Sequence, residues 1–91
     1  MKKLPKVSSL EAKIKGTTCE DKPYEVTRRF TLYLRKNGED YGTSLGMTVE
    51  RLECGDWQDI DVRYERTRDI KKLATRYIEN NLSNPAEIVF A

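Results

Sequence analysis

Residues 24–51 read YEVTRRFTLYLRKNGEDYGTSLGMTVER. Two runs of alternating apolar and polar side chains flank Asn37-Gly38, the strongest short-range signal for a β-hairpin. A two-residue type I′ turn needs positive φ at both central positions, and Asn and Gly adopt it at least cost. With Asn37 and Gly38 as the loop, facing residues sum to 75. Phe30 is then expected opposite Leu45, Val26 opposite Val49 and Leu34 opposite Tyr41. All three apolar pairs share one face, as a half-buried antiparallel sheet requires. The other face carries Arg29, Thr31, Tyr33 and Arg35. Glu25 opposite Glu50 is the one conflict at this register.

Working outward, Cys54-Gly55-Asp56 reads as a turn. Ile60, Val62 and Tyr64 then alternate with Asp59, Asp61, Arg63 and Glu65, so a further strand is expected with its apolar residues on the core face. Thr67 is a suitable helix N-cap. Ile70, Leu73, Ala74, Tyr77, Ile78 and Leu82 follow at helical spacing, and this stripe needs the apolar face of the sheet to cover it. Leu73 and Ile78 are expected to be buried there. Asn84, Pro85 and Glu87 look like an N-cap, a first-turn proline and a capping-box acid, which predicts a short C-terminal helical turn through Ile88, Val89 and Phe90.

Upstream, Leu10, Ala12 and Ile14 alternate with charged residues, which favours a strand ending at Gly16. Ser8 and Glu11 could instead form a capping box for a short helix. Residues 1–9, with Lys2, Lys3 and Lys6, read as a flexible basic arm, leaving 10–91 as a single domain. The expected class is α+β: a three- or four-stranded antiparallel meander with one amphipathic helix packed on one face.

The composition bounds the function. The chain has 91 residues, 35% of them charged, and a net charge of +2. The apolar residues are periodic rather than scattered, which argues against disorder. No apolar run approaches a membrane span. Met1-Lys2-Lys3 resembles the start of a signal peptide, but Pro5, Lys6, Ser8 and Ser9 follow where an apolar stretch belongs, so a cytoplasmic location is expected. There is no histidine and there are two cysteines, Cys19 and Cys54. That supplies neither a zinc set nor a disulfide framework. With no phosphate loop and no nucleophile, no enzyme, cofactor, metal or small-molecule substrate is expected.

Between Arg63 and Arg76 stand six basic and two acidic residues. Arg68, Lys72 and Arg76 are spaced to share one helix face, an arrangement that opposes the helix dipole and suits an anionic partner. With Arg63 they are candidate contacts for such a partner. The same pattern also describes an ordinary solvated face. On the open face of the sheet, Arg29, Tyr33, Arg35 and Trp57 form a candidate interaction surface, since arginine interleaved with aromatics suits protein or nucleic-acid binding. Asp59 and Asp61 are expected on one face, two residues apart, with no third ligand to complete a cation site.

The carriers Tyr41-Gly42, Ile70 to Leu82, and Asn84-Pro85 make the chain resemble small bacterial domains in which a Tyr-Gly strand precedes an amphipathic helix. That family has no assigned activity. In layout the chain is also similar to double-stranded-RNA-binding domains, where helix-start lysines like those of Lys71-Lys72-Leu73-Ala74 grip phosphates. It departs from them in lacking the Gly-Pro-x-His loop. The expectation is a non-enzymatic protein-interaction or regulatory module with an unidentified protein partner. The alternative is a nucleic-acid-binding accessory protein that uses the basic helix ridge.

Overall fold

The computed structural model describes residues 6–34 and 45–91. In chain order these form β1 (Lys6–Thr17), β2 (Pro23–Leu34), β3 (Leu45–Glu53), β4 (Asp56–Glu65), α1 (Ile70–Asn81) and β5 (Pro85–Phe90). The five strands make one antiparallel sheet of order β4-β3-β2-β1-β5. β1 to β4 are a meander. The helix then carries the chain from one edge of the sheet to the other, over β1, β2 and β5.

The alternating segment after the N-terminus is a strand, not a helix. The sheet takes in Lys6–Ser9, which the composition assigned to the arm. Ala12 and Ile14 on β1, Phe30 and Leu32 on β2, and Leu45, Met47 and Val49 on β3 are buried against Leu73, Ala74 and Ile78 of the helix. Phe30 meets the Tyr77 ring edge to face, with centroids 5.8 Å apart. The helix cap is Asp69 rather than Thr67. The Asp69 carboxylate accepts from the Lys72 N–H at 3.2 Å, and Thr67 Oγ1 in turn accepts from the Asp69 N–H.

Three further expectations require correction. The first is the β2–β3 register. Phe30 faces Val49 and Leu34 faces Leu45, so partners sum to 79 rather than 75. The slip is an even number of residues, which leaves every side chain on its expected face. It sets Phe30, Leu32 and Leu34 against Val49, Met47 and Leu45 in three successive apolar pairs. A sum of 75 would have set Arg28 against Met47. It also replaces the Glu25–Glu50 conflict with an Arg29–Glu50 pair. Asn37-Gly38 and Tyr41-Gly42 lie outside the described residues.

The second correction is the C-terminal segment, which is the strand β5 and not a helical turn. Ile88, Val89 and Phe90 are β-branched or aromatic, and the outer edge of β1 offers them a ladder. Pro85 sits at the first residue of an edge strand, where its missing N–H does little harm. The approach is close: a Cβ on Gly16 would stand 2.5 Å from the Asn84 carbonyl oxygen and 2.6 Å from the Tyr24 hydroxyl. Tyr24 donates that hydroxyl to the Ser83 carbonyl. A side chain at position 16 would hold this corner off.

The third correction concerns β4. Cys54 and Gly55 both have positive φ, 53° and 82°, and form a two-residue hairpin turn. From this turn Glu53 faces Asp56, Leu52 faces Trp57 and Glu50 faces Asp59. Continued without a break, the ladder would set Ile60, Val62 and Tyr64 against Val49, Met47 and Leu45 on the core face. Instead a β-bulge falls between Val49 and Glu50, with Ile60 the extra residue. Beyond it Asp61 faces Val49, Val62 faces Thr48 and Tyr64 faces Gly46. One inserted residue reverses the two faces of the strand.

Candidate interaction face

The reversed parity builds the most unusual surface of the molecule. α1 covers one face of the sheet, and nothing among the described residues lies over the other. Beyond the bulge Val62 and Tyr64 turn away from the core, 54% and 65% exposed, and Ile60 at the bulge itself is 39% exposed. Leu52, next to Trp57 in the β3–β4 ladder, is also exposed. Behind this strip is a row of hydroxyls, Ser9, Thr31 and Thr48, which occupy facing positions on β1, β2 and β3. Thr31 is buried, with Ser9 Oγ 3.5 Å away.

Arg29 holds the strip at one end. Its Nε and Nη2 donate to the two carboxylate oxygens of Glu50 at 2.9 and 2.6 Å, a bidentate pair. The guanidinium lies over the Trp57 ring, 4.4 Å from its centroid. The ion pair with Glu50 and the stacking contact together hold Arg29 against the indole. Asp59, facing Glu50 at the same end of β4, makes no ion pair among the described residues and puts an acid at the rim.

Other candidate residues are distributed differently from expectation. Tyr33 is on this face, opposite Gly46 and one strand from Tyr64. Arg35 lies outside the described residues. Arg63 and Asp61 are on the helix side, because of the bulge. Asp59 and Asp61 thus project from opposite faces and cannot share a cation, and no metal-ligand cluster occurs among the described residues.

The basic ridge is interrupted. Arg68 precedes the helix and its Asp69 cap. Lys71, Lys72 and Arg76 line one surface groove, flanked in sequence by Asp69 and Glu79, which line it too. Arg76 also meets Arg63 at a cleft of about 390 Å³ between α1 and β3–β4, beside Glu65, Tyr77, Asn80 and Asn81. Arg63 is engaged there: its Nε donates to Asp61 at 3.0 Å, and its guanidinium is 5.5 Å from the Tyr77 ring centre. Burial raises the Tyr77 hydroxyl above its ordinary pKa, and the negative charge of the nearby Asp61 carboxylate adds to the shift. Arg63 and Arg28 oppose it in part.

The outward apolar strip was missed by sequence reading because alternation fixes a strand's period and not which face it turns inward. The acidic residues interleaved with Ile60, Val62 and Tyr64 fit either placement.

Compared with protein-family models, curated proteins and solved structures, the chain matches none. No helix among the described residues is long and apolar enough to cross a membrane.

Proposed function

We propose that this protein is a non-enzymatic, cytoplasmic interaction module whose docking surface is the open face of β3 and β4. The observation that carries the reading is the bulge at Ile60. An unbroken ladder would bury Val62 and Tyr64; the native one exposes them. Local rules of this kind are broken mainly where function requires it. The strip joins aliphatic and aromatic side chains to a Trp57 in contact with the Arg29 guanidinium, and such anchors dominate protein interfaces. Asp59 at the rim suits a protein surface with an apolar centre and basic surroundings, and it disfavours phosphate. Asp69 and Glu79, which flank Lys71, Lys72 and Arg76, reduce the net charge the helix offers a nucleic acid.

Site-specific photocrosslinking tests this. A benzophenone amino acid is placed at position 62, or at position 72 on the helix, in cells of the native host. Nuclease-resistant polypeptide adducts from position 62 alone are expected. Adducts confined to position 72, or lost on nuclease treatment, would transfer the reading to the helix ridge.

A further inference from the structure

The two edges of the sheet are not equivalent. An exposed edge strand offers unpaired backbone groups to any passing strand, and proteins blunt such edges with bulges and inward charges. β4 has both devices. Its ladder is bulged at Ile60, and the Asp61 carboxylate accepts the Val62 N–H at 2.8 Å, occupying a donor that a visiting strand would need.

β5 is bulged only at its start, where Ala86 is the extra residue between the Lys15–Glu87 and Gly16–Pro85 pairs, and from Glu87 to Phe90 its ladder is regular. The Ala91 N–H donates to the Glu11 carbonyl at 2.9 Å, continuing the β1–β5 ladder. Antiparallel pairs alternate between bonded and non-bonded, so Val89 with Lys13 and Glu87 with Lys15 are bonded pairs. The N–H and C=O groups of Ile88 and Phe90 therefore point away from β1. No side chain among the described residues hydrogen-bonds to them. Val89 is half exposed on the open face beside this edge.

We infer that the β5 edge pairs with the β5 edge of a second copy, antiparallel, with Ile88 on the two-fold axis. This register sets Ile88 against Ile88, Ala86 against Phe90, and Glu87 against Val89 of the second copy. It places the outward backbone groups of Ile88 and Phe90 in bonding positions. It also puts Glu87 in a row between its own Lys15 and, beyond Val89, Lys13 of the second copy. An axis through Glu87 would oppose two like charges, which is unfavourable. An axis through Val89 would leave Pro85 and Ala86 unpaired. The edge is thus complementary to itself, as a two-fold contact requires. A strand of six residues is a small contact, below the roughly 1,200 Å² of standard interfaces, so the dimer is weak and reversible. It joins the two sheets into one and leaves a docking strip at each far end.

Sedimentation from about 10 µM to about 1 mM tests the inference. A monomer–dimer equilibrium is expected within that range. Val89→Glu sets an acid against Glu87 of the second copy and weakens dimerisation about three- to tenfold, while Val89→Lys tightens it by a similar factor. Position 89 is exposed, so both variants keep the fold, while Lys13 across the β1–β5 ladder pairs with the glutamate and opposes the lysine. Val62→Lys, at the other edge, leaves the equilibrium unchanged. A protein monomeric throughout, equal losses from Val89→Glu and Val89→Lys, or loss of the dimer in Val62→Lys would each overturn the pairing.

Discussion

Asp61 faces Val49 across the β3–β4 ladder, the place that Ile60 would take if the strand were regular. Val49 is fully buried, and the aspartate opposite it accepts from the Val62 N–H and from Arg63 Nε. A carboxylate at the border of the core is thus held by two donors, beside the Tyr77 hydroxyl whose pKa it raises. The apolar residues it displaces face solvent.

If the bulge has this effect, the outward residues contribute little to stability. Val62→Ser is expected to change the unfolding free energy by less than about 1 kcal/mol, as surface substitutions do. Leu32→Ala, on the covered face, is expected to cost about 2–5 kcal/mol. Urea melts of the two variants compare them directly. A large loss at Val62 would put that side chain in the core.

The helix is anchored through Leu73 and Ile78. Truncating Leu73 to Ala is expected to cost about 2–5 kcal/mol, a large share of the stability of a domain this small. The loss is read from the denaturation midpoint. Below about 1 kcal/mol, the helix would have to dock elsewhere.

The alkaline limb of stability belongs to Tyr77. Its hydroxyl is raised above the ordinary 10.0 by burial and by Asp61. The native state favours the protonated form, so the contribution is complete below the unfolded pKa and is lost as pH rises through the higher folded one. Tyr77→Phe is expected to flatten the fall in melting temperature above about pH 10. An unchanged alkaline limb would mean that the hydroxyl titrates freely.

Gly16→Ala tests the corner that admits β5. The added methyl meets a backbone carbonyl and the Tyr24 hydroxyl, so the Ser83–Asn84 segment has to move. Overpacking of this kind costs about 1–3 kcal/mol. Hydrogen exchange is expected to show the amides of β5 losing protection before those of β2 and β3. Uniform loss across the sheet would contradict a local effect.

Much of this architecture was legible in the residues. The stripe from Ile70 to Leu82 specified the helix, and its burial of Leu73 and Ile78 followed. Period-two alternation identified β1 to β4 and put Phe30 and Val49 on the covered face. What escaped depends on contacts distant in sequence. A four-residue slip between β2 and β3 preserves faces, so only the packing of Leu32 on Met47 distinguishes it. The bulge at Ile60 changes no residue type that a pattern can detect. The strand character of Pro85–Phe90 depends on a free edge supplied by residues more than seventy positions earlier, and its local sequence carries a helix-start signature. At the candidate face, Arg29, Tyr33 and Trp57 were identifiable from their parity and chemistry, but Val62 and Tyr64 were not.

The pairing of the first described strand with the last has a kinetic side. Ala12 finds its partner in Phe90, nearly the full length of the chain away. Contacts of such high sequence separation slow folding, because loop closure precedes any reward. During synthesis, β1 to β4 and the helix can all emerge while the outer edge of β1 is still bare. Until Pro85–Phe90 leaves the ribosome, the nascent chain presents Ala12 and Ile14 along an open template for other strands. Before that segment arrives, this bare edge is open to pairing with other chains.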